Sequence, residues 1–344
     1  MKISKSKLLD ACSKAGLDNI SAKKIWVELE KENSSKFNIE NLAYYFGALI
    51  IMSSMGWFMT EAWDSIGGLG ISFLGTIYFV IFLIFGRHLW FIKKLTIAGG
   101  LLITVSIWMV PLIIFGIEKY TDLWPQDSQG SFQDYHVWIR GSWIIMEIAT
   151  IIAGFIALKF IRFPFLSFPI AFSLWYLSMD LTPILKGSID FSWEQKQLVS
   201  IYFGLALLLF SYFIDRKFKD DFAFWGYLFG LLAFWGGLSL LNSDSELNKF
   251  FYCLINFVFI FLSVIIQRRV FIIFGSIGVF YYIGHLAFKV FKDSLLFPIA
   301  LSILGIIIIF LGIKYNRNKE YIERKLVQLL PPFLINLNPN KRDN

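Results

Sequence analysis

From residue 42 onward the chain repeats one pattern, in which an apolar run is followed by a short polar or basic break and then by another run. The runs lie at about 42–60, 67–86, 95–117, 139–158, 163–185, 198–214, 222–241, 250–266, 270–288 and 294–313. Each is close to the roughly 20 residues that a helix needs to cross the hydrocarbon of a bilayer. The pattern therefore predicts an all-α fold, a polytopic transmembrane bundle of about ten spanning helices over residues 39–314.

The two ends differ from this middle. Residues 1–38 are polar and lysine-rich and read as a small cytosolic helical hairpin. Its first helix, Lys5 to Ala15, is stopped by Gly16 in the C′ position. The second starts with Ser21 as N-cap and runs to about Glu32, with Ile20 and Ile25 spaced for a hydrophobic staple. So small a hairpin buries little by itself, and it is expected to pack on the membrane portion or on a protein partner. The tail, 315–344, offers an amphipathic helix from Glu320 to Leu330, halted by Pro331-Pro332, which suits the inner membrane surface.

Composition agrees with the pattern: 57% of residues are hydrophobic, 19% aromatic and 17% charged. The net charge of +7 would suggest nucleic acid if the basic residues were clustered, but they sit in inter-run turns and tails. With alternate breaks assigned to opposite faces, 25 of the 32 Lys and Arg residues fall on the side that holds both ends. The positive-inside rule then places both termini in the cytoplasm. Cys12 and Cys253 lie in the polar hairpin and in an apolar run, so neither a structural disulfide nor a metal-type spacing is expected. No cofactor motif, phosphate loop or hydrolase elbow is present.

The informative residues are the polar ones inside the apolar runs. Glu147 is the only charge within 141–158. It lies seven residues from Arg140, roughly 10 Å along a helix, and a carboxylate there needs a partner, water or a proton. Asp180, Asn256, His285 and Glu61 fall at similar heights near the outer ends of their own runs, Asn256 about 9 Å deep. These five residues define an expected polar pocket in the outer half of the bilayer, with Glu147 and Asp180 as acids and His285 as titrating partner. Asn256 also reads as interhelical glue, His285 as a simple hydrogen-bond partner, Asp180 as a solvated interfacial residue or a cap near Thr182-Pro183, and Glu61 as a helix end next to water. Trp57, Trp63, Trp124, Trp138, Trp143 and Trp193 read as an interfacial aromatic belt. Glu61-x-x-Asp64 is similar to acidic motifs of polytopic glycosyltransferases, but the break that carries it is very short. Asp127, Asp134 and His136 read as a solvated loop, and no metal site is assigned.

The helix start Ser21-Ala22-Lys23-Lys24-Ile25-Trp26 and the run from Tyr44 to Trp57 resemble an uncharacterised family of predicted bacterial polytopic membrane proteins with a short N-terminal cytosolic helical segment. That resemblance implies a bacterial inner (plasma) membrane location and carries over no catalytic residue. Function follows from the pocket: the expectation is a proton- or cation-linked transporter of a small solute. A membrane-embedded enzyme acting on a lipid or lipid-linked substrate at the outer leaflet is the first alternative. A membrane scaffold or sensor, docking a protein partner through the hairpin, is the second. Membrane lipids and a small solute or cation are the expected partners, and nucleic acid is not.

Overall fold

The computed structural model describes residues 39–61, 66–123, 143–186, 193–241, 245–292, 294 and 296–318, together with positions 8, 12, 18, 21 and 25. Each of the ten apolar runs carries helix, and no strand occurs among the described residues. In chain order the helices are α1 (Ile39–Glu61), α2 (Gly67–Arg87), α3 (Thr96–Trp108), α4 (Val110–Tyr120), α5 (Trp143–Phe160) and α6 (Ser167–Lys186). They continue with α7 (Trp193–Lys217), α8 (Phe224–Leu240), α9 (Glu246–Ile266), α10 (Arg269–His285) and α11 (Leu296–Arg317). Wider π-helical turns extend α2 through His88–Ile92 and α10 through Leu286–Val290.

Residues 1–53 and 54–344 form two compact units, and α1 runs across the boundary. In the first unit Leu8, Cys12, Ser21 and Ile25 are helical. Ser21 is not the N-cap. It lies within the helix and donates its backbone N–H to the Asp18 carboxylate at 3.4 Å. An aspartate caps a helix start as well as serine does, and its charge favours the positive end of the helix dipole. The expected Gly16 stop and the Glu320–Leu330 helix lie outside the described residues. Both cysteines are free and buried.

In the second unit, neighbours in sequence pack as antiparallel hairpins. The pairs are α2 with α3 and α4, α5 with α6, α7 with α8, and α9 with α10. Helix α8 also touches α6 and α10, and α5 touches α4, which links the hairpins. Ile71, Leu112, Phe115 and Met146 bury a common cluster of α2, α4 and α5. Tyr227, Leu231, Phe259, Phe271 and Phe274 do the same for α8, α9 and α10. Glycine sets the closest approach. A Cβ at Gly116 of α4 would meet the Ser72 amide at 2.5 Å and the Gly68 carbonyl at 2.6 Å on α2, so the backbones touch.

The outward surface is apolar. Phe73, Phe213, Val264 and Phe280 are 66%, 66%, 65% and 72% exposed, a distribution that water does not support over so large an area. Among the described residues, six helices or helix pairs are long and apolar enough to cross a bilayer. They are Gly67–Ile92, Thr96–Tyr120, Trp143–Phe160, Glu194–Lys217, Glu246–Ile266 and Arg269–Val290. This is the architecture of an integral membrane protein built from helices.

Candidate functional site

The apolar run 96–120 is not one continuous helix. It breaks at Met109, between α3 and α4, where the Met109 amide donates to the Ser106 carbonyl at 3.0 Å. The cause is Pro111, which has no N–H to give to the Ile107 carbonyl and occupies the first turn of α4. Trp108, Met109 and Pro111 therefore form a bent wall instead of a regular helix face.

That wall closes a cavity of about 160 Å³. Met55 and Gly56 of α1, Trp143, Met146, Glu147 and Thr150 of α5, and Phe172, Ser173 and Tyr176 of α6 complete its lining. The walls are aromatic and thioether. Trp108 packs against Phe172 with ring centres 4.9 Å apart, Phe172 against Tyr176 at 4.8 Å, and Trp143 stacks on Tyr176 at 5.9 Å. Thr150 spends its hydroxyl on the Met146 carbonyl at 2.7 Å. Glu147, 4% exposed, is the charged residue of the lining. It reaches the cavity because α5 turns one narrow stripe of Met146, Glu147, Thr150 and Gly154 inward, while Ile145, Ile148, Ile152 and Phe155 face outward.

A carboxylate in a cavity lined by Trp108, Trp143, Phe172 and Tyr176 favours positive charge. The quadrupole of each ring places negative density on its face, so ring and carboxylate attract the same cation, and both repel an anion. Low dielectric strengthens that preference.

The other expected site residues lie elsewhere. Asn256 is fully buried, accepts a hydrogen bond from the Trp235 indole at 3.0 Å and donates to the Tyr252 carbonyl at 2.8 Å, joining α9 to α8. The Nε2 of His285 lies 2.9 Å from the Glu246 carboxylate, which also holds Lys249 at 2.7 Å. Neither Asn256 nor His285 lines the Glu147 cavity. Asp180 and Glu61 are helical positions whose side chains lie outside the described residues, as do Asp127, Asp134 and His136. Residues on separate hairpins at one depth need not share one space, because each hairpin turns its own polar stripe toward its own neighbour. Among the described residues no three His, Cys, Asp or Glu side chains group as a metal site.

Three features escape a reading by sequence. Trp143, expected in an interfacial belt, stacks on Tyr176 and lines the cavity. Glu118, at the end of its run, is 4% exposed, and its Oε2 has no hydrogen-bond partner among the described residues. Arg268, counted only as a basic turn residue, holds Asp215 of α7 through a bidentate pair and Asp221 at 2.6 Å, with its guanidinium 5.9 Å from the Tyr227 ring centre. Burial pulls the Arg268 guanidinium down, but the Asp215 hydrogen bonds and the two carboxylates outweigh it and hold the group above its ordinary value. This cluster ties α7 and α8 to the α9–α10 turn and is structural. A signal for it existed in the side-by-side Asp215-Arg216 and Gln267-Arg268, but charges at helix ends are ordinarily solvated.

Comparison with family models, with curated proteins and with solved structures gives no match for this chain. The geometry alone must carry the functional reading.

Proposed function

We propose that this protein binds a small organic cation, or a protonatable amine, inside the membrane, with Glu147 as counter-charge, and that this binding serves proton- or cation-linked transport. One observation carries the reading: a buried carboxylate opens onto an aromatic cavity at a break in a spanning helix. Broken helices beside a cavity are the usual setting for solute sites in secondary transporters. An intramembrane carboxylate is costly unless it has work to do there. Exchange of a proton for a cation on Glu147 keeps the site neutral in both states and so couples the two fluxes.

The same proposal takes the chain as ten spans with both termini cytoplasmic. The distribution of Lys and Arg supports this orientation. The resemblance of the 21–26 and 44–57 segments to bacterial polytopic proteins supports an inner-membrane location. The hairpin of residues 1–38 is then a cytosolic attachment point for a partner.

The test uses full-length protein in detergent and in proteoliposomes, with tetraethylammonium as probe. Wild type is expected to gain thermal stability with the probe. It is also expected to move protons when a probe gradient is imposed. Glu147→Gln should express and fold but lose both responses. Undiminished probe binding or proton movement in Glu147→Gln would refute the proposal.

A further inference from the structure

A second cavity, about 400 Å³, lies between α5, α6 and α7 and shares no lining residue with the Glu147 site. Lys159, in the last turn of α5, and Arg162, in the turn to α6, stand at one end of it. Both are exposed, and among the described residues neither is paired with a carboxylate. The rest is apolar. Phe155, Leu174, Leu207 and Phe210 form the walls, and Ala223 and Gly226 of the next hairpin keep the floor low.

The dimensions follow from helix geometry. Leu174 lies seven residues into α6 from Ser167, and Leu207 seven residues before Ile214 of α7, with all four lining the groove. Seven residues are roughly 10 Å of helix. The groove thus runs from two cations at the membrane boundary about two helical turns into hydrocarbon. Lys159 and Arg162 lie on the side that collects most of the basic residues, the side facing anionic lipid in the positive-inside orientation.

We propose that this groove is a binding site for an anionic phospholipid. The headgroup phosphate lies between Lys159 and Arg162, and an acyl chain lies along Phe155, Leu174, Leu207 and Phe210. Charge at one end and aliphatic surface at the other match the two halves of that molecule. A soluble anion would use only the first half, a neutral lipid only the second. Arg162 provides a planar fork for phosphate oxygens and Lys159 a mobile point charge on an apolar stem. The proposal rests on membrane placement of the helices and on the positive-inside orientation proposed above, and does not depend on the role of Glu147.

Delipidated full-length protein in detergent would be mixed with phosphatidylglycerol, with phosphatidylcholine of the same chains, or with glycerophosphate, and bound ligand counted by native mass spectrometry. Phosphatidylglycerol should be retained over phosphatidylcholine, and glycerophosphate should not be retained. Lys159→Ala with Arg162→Ala should lower phosphatidylglycerol retention roughly tenfold or more, as expected for two juxtamembrane cations. The charge-keeping pair Lys159→Arg with Arg162→Lys should keep most of it. Leu174→Trp, which fills the groove and leaves both cations in place, should also lower it. Lys93→Ala with Lys94→Ala, away from the groove, should not. Equal retention of the two lipids, retention of glycerophosphate, an equal loss in the Lys93 and Lys94 variant, or full retention in Leu174→Trp would each overturn the proposal.

Discussion

The Trp235 indole donates to Asn256 Oδ1 at 3.0 Å, a side-chain bond between α8 and α9 in the membrane interior. The Asn256 side-chain amide donates in turn to the Tyr252 carbonyl of its own helix at 2.8 Å, and Gly278 of α10 lies flat against the amide, where any Cβ would overlap it. Such bonds in lipid are worth about 1 kcal/mol, because the separated helices also find partners. Asn256→Leu and Trp235→Phe should each lower unfolding stability in micelles by about that amount. The double variant should cost little more than one single. Full additivity would show that the two side chains act independently.

Arg268 and Asp215 call for a larger effect. Asp215 is 5% exposed, so Arg268→Met strands a buried carboxylate without its cation, a loss of about 3–5 kcal/mol. Arg268→Met with Asp215→Leu should recover most of that in a thermal melt. The raised guanidinium value sets the pH sign. Its stabilisation is present below the ordinary arginine range and is lost only as pH rises through the still higher folded value, so the Arg268 contribution should stay flat across neutral pH. A double variant no better than the single would show that the pair contributes something other than charge.

The aromatic wall of the Glu147 cavity makes a distinct prediction. Trp108→Leu and Trp143→Leu retain apolar contact but remove ring quadrupoles. Each should weaken tetraethylammonium binding roughly 2- to 30-fold, the range for exposed to desolvated cation–π contacts. A neutral hydrocarbon of the same shape should bind these variants and wild type alike. A matching loss for both probes in a calorimetric titration would mean the rings supply only surface.

Gly116 tests the close approach of α2 and α4. A methyl group there meets backbone atoms at 2.5 and 2.6 Å, which cannot swing away as a side chain would. Gly116→Ala should cost about 1–3 kcal/mol by overpacking. Gly236→Ala, where a Cβ meets nothing within 4 Å, should be neutral or slightly stabilising, since it restricts the unfolded chain. Equal melting temperatures for the two variants would contradict the packing described for α2 and α4.

The class of fold, the helical runs and their approximate bounds were legible in the sequence. A spanning helix satisfies its backbone locally and shows its solvent directly as composition. The break at Met109 was half legible. A proline inside an apolar run, as at Pro111, removes a helix hydrogen bond wherever it stands, while the wall it makes for a cavity depended on α5 and α6. Glu147 stood out because uninterrupted apolar sequence on both sides left it no other place. Its companions did not stand out. Depth can be counted along a helix, but the direction in which a side chain leaves the axis is set by which helix lies alongside.

The sequence by itself therefore determined that this chain is a set of membrane helices and that Glu147 is buried in one of them. Tertiary structure alone decided the company each polar residue keeps: Asn256 with Trp235, His285 with Glu246, Arg268 with Asp215, and Glu147 with a ring of aromatic side chains. The physical reason is the range of the forces. Hydrophobic burial and backbone hydrogen bonding act on each segment separately, whereas pairing of polar groups in hydrocarbon is a contact effect, settled only when rotation and neighbour of every helix are chosen together.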